Sequence, residues 1–362
     1  MLIIKEHADI TIDYNLNKIT NSDKVIFFDI ETTGFSRKYN IIYLIGCMYY
    51  ENNELFFTQY LAENPNEEAV ILQEFYKKLI SYNTIIHFNG NSFDMPFLTE
   101  RGEKYNIDFN FSKFESIDLF KLIKPYKNLL LLEDVKQKTI EKLIGIKRKD
   151  PFNGGELIEV YNEYTRSKDE RLLKALLMHN MEDVFYMGAI TSILSFTDFM
   201  AGEFSVKQYS FSDYKDINGN ENWELRIQLI LDERLPFSLS CKNNFAYMSG
   251  NEKEVFLSIK ENHCDLKYFF PNYKDYYYLP EEDSVVHKSI GSFVDRTHRK
   301  NATAATCYIK KNGRYLPLCN CDTLEFGELF KTDYKEKLNY INSDKINDEN
   351  ILLYSKIMIR GF

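Results

Sequence analysis

"VIFFDIETTG", residues 25–34, decides how the first half of this chain is read. Val25–Phe28 is wholly apolar, as expected of a strand buried on both faces, and Gly34 ends it in a turn. Asp29 and Glu31 are two residues apart and so project from one face of that strand. Two acids at the end of a buried strand sit at the margin of the core and repel each other. A solvated strand end explains one such D-x-E by itself, because short motifs recur by chance. The pair gains meaning only if other acids converge on it.

Working outward, "IIYLIGCMYY" and "ELFFTQYL" read as strands joined by the hairpin-type "ENN". "EEAVILQEFYKKLISY" has helical spacing, "NTIIHF" is a short buried strand, and "FDMPFLTERGEKY" opens another helix. "ESIDLF" makes a fifth strand, and from about Lys121 to Leu194 the pattern is helical throughout. The expected fold is α/β, a mixed five-stranded sheet flanked by helices over residues 1–200. After Met200 the texture changes. "WELRIQLIL" alternates Trp223, Leu225, Ile227 and Leu229 against polar residues, and similar stretches follow. Residues 201–362 are therefore expected to form a β-rich α+β domain with some helix toward the end.

Two further acids stand out. Asp94, in "HFNGNSFDMPFL", lies at a helix start that tolerates Pro96 in its first turn. A helix cap is the plain alternative for it. Asp183, in "HNMEDV", belongs to the stripe Leu176, Asn180, Asp183, Met187, Ile190 and Leu194, the buried face of a helix. An unpaired buried carboxylate is costly, so Asp183 requires a cation or strong donors opposite it. Four acids, two on one strand and one on each of two helices, form an oxygen-rich set suited to Mg²⁺ or Mn²⁺. Two such ions can activate a water and stabilise the leaving oxygen of a phosphodiester.

The three stretches "FFDIETTG", "FNGNSFDMPFL" and "HNMEDV" resemble, in order, the three motifs of the DEDD 3′–5′ exonuclease superfamily, on the ribonuclease H-like fold. Within it the nearest likeness is to the bacterial YprB-type ribonuclease H-like proteins, where an N-G-x-S-F-D-x-P second motif is familiar. The resemblance covers roughly residues 20–196. It implies two Mg²⁺ or Mn²⁺ ions held by Asp29, Glu31, Asp94 and Asp183, with Asp29 bridging both. Glu31 and Asp183 would serve the first ion and Asp94 the second. It also implies that Asn89, Ser92 and Phe93 line the pocket for a 3′-terminal nucleotide. Thr32, Thr33 and Gly34 would bring backbone close to the substrate.

His179 departs from the pattern. The superfamily divides by a Tyr four positions before the last Asp or a His five positions before it. Here the His is four before Asp183, and position 178 is Met. Four apart keeps both side chains on one helix face, so His179 is a candidate general base. A histidine bonded to a neighbouring helix is the alternative.

Composition narrows the partners. The chain has 362 residues, 44% hydrophobic and 27% charged, with a net charge of −9. That charge argues against an indiscriminate polyanion binder and throws the weight onto local clusters. Residues 121–149 hold nine Lys or Arg against three acids, and residues 296–321 hold six and none. Both could be solvated faces. Beside the acids they supply candidate phosphate contacts: Lys138, Lys147 and Arg148 in the first, Arg299 and Lys300 in the second. "YFFPNYKDYYYLPEED" places aromatics beside the second cluster, as in single-strand binders, although core packing accounts for such residues too. Cys307, Cys319 and Cys321, with Cys264 and His263, lack the Cys-x₂₋₄-Cys spacing of a zinc knuckle, so free buried thiols are expected. Charges in "MLIIKEHADITIDY" break up any signal-peptide core, and no apolar run approaches a membrane span. The expectation is a cytoplasmic metal-dependent exonuclease acting on the 3′ end of single-stranded DNA or RNA, without nucleotide cofactor or membrane. The C-terminal domain would help hold the strand. The rival is a catalytically inactive ribonuclease H-like nucleic-acid-binding or scaffold protein.

Overall fold

A computed structural model describes residues 1–150, 152, 154–319 and 324–362. The chain divides into two compact units, Met1–Thr197 with Leu235–Phe237, and Asp198–Arg234 with Ser238–Phe362.

The first unit is built on β1 (Leu2–His7), β2 (Val25–Thr32), β3 (Ile42–Glu51), β4 (Glu54–Leu61), β5 (Thr84–His87) and β6 (Glu115–Asp118), in the order β1-β4-β3-β2-β5-β6. β2 is central: antiparallel to β3 and parallel to β5. β3 and β4 are joined through Asn52 and Asn53 at φ 55° and 65°, the paired positive angles of a tight hairpin turn. The sheet has six strands rather than five. The addition is β1, an edge strand paired to β4 whose half-exposed "LIIKEH" carries two charges and gives little periodic signal.

Helices α1 (Glu68–Leu79), α2 (Asp94–Lys104), α3 (Leu119–Ile123), α4 (Gln137–Leu143), α5 (Gly154–Ser167) and α6 (Glu170–Ile190) complete the unit. Phe28, Phe75, Ile85 and Phe97 form a core between sheet and helices, and Tyr43, Leu61, Tyr161 and Leu176 form another. The continuous helix expected from Lys121 onward is broken. Gly145 takes φ 86° and Leu131 takes φ 53°, conformations that no helix contains, and only α3 and α4 form between residues 119 and 150. The stretch Glu170–Ala201 is long and apolar enough to cross a membrane, but 61% of its most apolar window is buried inside the protein. That is the behaviour of a core helix.

The second unit is β-rich. β7 (Phe204–Lys215) and β8 (Glu221–Leu231) form a long hairpin, and β8 pairs with the long strand Glu254–Phe269 within an eight-stranded sheet. Leu225, Ile227 and Leu229 are buried there, as the alternation of β8 predicts. Tyr276–Leu279, Ser284–His287 and Lys300–Asn301 form a separate three-stranded sheet.

Candidate active site

Asp29 and Glu31 emerge where β2 stops being a regular strand. The ladder to β3 shifts register between Glu31 and Thr32, where β3 carries one extra residue, Tyr43. Below Asp29 on β3 lies Gly46, its register partner, and above Gly46 lies Asn180 of α6. A Cβ at Gly46 would fall 2.1 Å from the Asn180 Oδ1. The missing side chain therefore lets α6 approach the sheet. Asn180 is fully buried, accepts from Gln59 Nε2 at 3.1 Å, and donates from Nδ2 to Asp29 Oδ2 at 3.3 Å.

Asp94 opens α2 after a turn set by Asn89 at φ 61°. Buried His87 is held neutral, its pKa pushed down to about 4 by burial. Its Nδ1 accepts from Gly90 N–H at 3.0 Å, so Nε2 carries the proton and donates to Ser116 Oγ at 2.9 Å. The Asn89 N–H donates to Asp118 Oδ1 at 2.9 Å. This pinned turn carries Asp94 to β2, where its Oδ1 accepts from Ile30 N–H at 3.2 Å.

His179 and Asp183 project from α6. His179 Nδ1 lies 2.6 Å from Asp150 Oδ2, while Nε2 lies 3.2 Å from Asp183 Oδ2 and 3.6 Å from Glu31 Oε1. Arg148 grips buried Glu141 with two bonds, Nε to Oε2 at 2.6 Å and Nη2 to Oε1 at 2.5 Å, and donates from Nη1 to Asp183 Oδ1.

Asp29, Glu31, Asp94, Arg148, His179 and Asp183 all line one cleft of about 730 Å³. Its other walls include Phe35, Phe88, Asn89, Phe93, Phe120 and Lys138. Burial, and then the neighbouring Asp183, Asp94 and Glu31, hold the Asp29 carboxyl well above the usual range. Burial, Asp183, Asp94 and Asp150 do the same to Glu31. Asp94 is pushed up to about 7, by burial first and by Asp118 and Asp183. Arg148 opposes these shifts at Asp29 and Glu31 without cancelling them. The cluster carries more negative charge than the protein compensates, and it brings together atoms of the kind that hold a divalent cation, making it a candidate metal site. Ligand atoms of Glu31, His179 and Asp183 lie within 4.8 Å of one another.

Of the other expected residues, Asn89, Phe93 and Lys138 line the cleft, and the rest sit elsewhere. Thr32, Thr33 and Gly34 shape the turn after β2: Thr32 Oγ1 donates to Gly34 O at 2.8 Å, and Thr33 Oγ1 accepts from Ile41 N–H at 3.0 Å. Gly34 has φ 151°, and a Cβ there would meet the Asn40 side chain at 2.7 Å, so its need for glycine is local. Ser92 is exposed, and Lys147 points to solvent, while Lys138 Nζ donates to Phe152 O at 2.7 Å. In the second unit Arg299 covers the Tyr277 ring at 4.5 Å and donates to Gly291 O; Lys300 is exposed. Cys307 is buried with a free thiol, Cys264 and Cys319 are partly buried and free, and Cys321 lies outside the described residues.

Sequence reasoning missed Asp150, Asn180 and Gln59. Asn180 was visible as a polar break in the apolar stripe. Asp150 was visible only as the acid that ends the basic run "GIKRKD".

Residues 26–195 match a family described as the RNase H superfamily. Over 168 residues, 45% of this chain, the protein is 27% identical to a Bacillus subtilis (strain 168) protein described as "Uncharacterized protein YprB", and it spans 40% of that protein's length. Among solved structures it is similar to the family B DNA polymerase of the hyperthermophilic archaeon Pyrobaculum calidifontis, with TM-score 0.39, 16% identity, and 48% and 24% of the two chains covered. It is also similar to E. coli Exonuclease I in complex with a dT13 oligonucleotide, with TM-score 0.31, 11% identity, and 57% and 54% covered. The mixed sheet and its order about β2 agree with the match of residues 26–195 to that family's model.

Proposed function

We propose that this protein is a metal-dependent 3′–5′ exonuclease acting on single-stranded nucleic acid. The observation that carries the reading is the convergence of Asp29, Glu31, Asp94 and Asp183, from a strand and two helices, on one aromatic-walled cleft. Raised carboxyl pKa values at three of them mark a site built for charge it does not itself supply. The four acids would hold two Mg²⁺ or Mn²⁺ ions. Such ions, when bound, lower the pKa of a water and neutralise charge on the leaving oxygen.

The chain's own residues position the strand. Phe35 is 85% exposed and meets Phe93 edge-on at 6.3 Å, so the two offer a terminal base a stacking surface. Asn89 offers that nucleotide hydrogen bonds. Lys136 and Lys138 at the rim attract phosphates. Asn180 fixes Asp29, and Arg148 fixes Asp183. Polarity follows from the motif order that the three acidic stretches share with DEDD exonucleases.

Single-stranded DNA and RNA oligonucleotides, labelled at the 5′ or 3′ end and incubated with Mn²⁺ or Mg²⁺, test this. A ladder shortening from the 3′ end is expected, abolished by Asp29→Ala. Equal inactivity of both proteins in the presence of oligonucleotide binding would favour a binding protein instead.

A further inference from the structure

We infer that His179 is a metal ligand through Nε2, and that Asp150 is the positioning residue that presents it, giving this site a mixed nitrogen–oxygen donor set that favours Mn²⁺ over Mg²⁺. The inference rests on reading the acid cluster as a cation site.

The geometry around the imidazole is one-directional. Asp150 accepts at both oxygens, Oδ1 from Phe152 N–H at 3.1 Å and Oδ2 from His179 Nδ1 at 2.6 Å. Lys138 Nζ lies 3.6 Å from Oδ2. An ionised carboxylate only accepts, so Nδ1 donates to it, and in the neutral imidazole Nε2 then presents a lone pair. That lone pair faces two more acceptors, Asp183 Oδ2 at 3.2 Å and Glu31 Oε1 at 3.6 Å. Three acceptors converging in a buried place, with the His179 side chain 5% exposed, describe a hole for a cation. The carboxylate–histidine arrangement behind it is the one that orients metal-binding imidazoles and raises their basicity.

The second oxygen of Asp183 supports the same direction. Arg148 occupies Oδ1, so Oδ2 is the atom turned toward Nε2. Imidazole suits Mn²⁺ and later transition ions better than it suits Mg²⁺, which prefers oxygen and water. A histidine serving as ligand has its lone pair engaged and is not the base that deprotonates a water.

The experiment uses the full chain, stripped of metal and titrated with Mn²⁺ alone. Electron spin-echo spectroscopy of the bound ion is expected to show a ¹⁴N coupling that becomes ¹⁵N when histidine is isotopically labelled. His179→Gln should lose that coupling, and calorimetry should show its Mn²⁺/Mg²⁺ affinity ratio falling about tenfold. Asp150→Asn, which keeps the volume and is checked for fold by circular dichroism, should retain the site but lose 10–100-fold in Mn²⁺ affinity, roughly the range for such supporting groups. Bound Mn²⁺ with water couplings and no histidine nitrogen would overturn the inference, as would an unchanged affinity ratio in His179→Gln. The nuclease reading stands or falls separately: histidine-bound Mn²⁺ without degradation sinks that reading and leaves this inference intact. Degradation without nitrogen coupling does the reverse.

Discussion

Arg148 donates to one oxygen of Asp183 and leaves the other facing His179 3.2 Å away. A basic run that looks in sequence like a phosphate track thus sends one of its members inward, where it is 8% exposed and bidentate on Glu141. Burial works against the guanidinium, but Glu141 and Asp183 outweigh it and keep it charged. Removing one partner of such a buried pair strands the other.

Arg148→Ala is therefore expected to destabilise the metal-free protein by about 3–5 kcal/mol. Denaturant unfolding measures this. The variant should gain more stability from saturating Mn²⁺ than the wild type gains, because Asp183 no longer has an internal cation. Equal gains would mean that Arg148 and the ion do not compensate the same charge.

Asp94 gives a pH dependence with a defined sign. Its carboxyl sits at about 7 in the folded protein against 3.8 in the unfolded chain. The folded state thus holds a proton that the unfolded state releases, and stability drains as pH rises from about 4 to 7. Asn at this position keeps an oxygen for the Ile30 N–H and carries no charge. Asp94→Asn should match the wild type near pH 4 and exceed it by on the order of 4 kcal/mol above pH 7, without metal. With saturating Mn²⁺ the order should reverse, since the wild type alone binds the ion fully. Thermal melts at several pH values, with and without Mn²⁺, check both limbs.

Gly46 is where strand register meets the site. Gly46→Ala drives a methyl into Asn180, which must move and release Asp29. The expected cost is about 1–3 kcal/mol in stability, as for other overpacked cores. Mn²⁺ affinity should fall along with it. A variant with the stability loss and unaltered Mn²⁺ affinity would show that Asn180 does not set the Asp29 carboxylate.

What was legible in the sequence follows from range. β2 announces itself because four apolar residues and a same-face acid pair need only local periodicity, and α6 because its stripe from Leu176 to Ile190 repeats over about four turns. The Asp150–His179 bond spans 29 residues, across α5 and into α6, and no helical period links its two ends. Gln59 and Asn180 are 121 residues apart. The helical pattern expected from about Lys121 is interrupted at Leu131 and Gly145, whose positive φ no hydrophobic pattern records. Counting charge in that run could not tell Arg148, gripped by two acids, from Lys147, which faces solvent. Partners decide such roles, and partners are tertiary.

Phe35 separates substrate binding from folding. It is 85% exposed on the cleft wall, so Phe35→Ala removes almost no buried area, and stability should stay within about 0.5 kcal/mol of the wild type. A base stacked on that ring is worth about 1–3 kcal/mol. Oligonucleotide binding should then weaken by roughly 5–150-fold at 25 °C, with Mn²⁺ affinity untouched. Fluorescence anisotropy on short homopolymers, in parallel with calorimetry of the ion, reads the two quantities independently. Unchanged oligonucleotide affinity would place the terminal base away from Phe35 and leave Phe88, Phe93 and Phe120 as the aromatic wall to which it stacks.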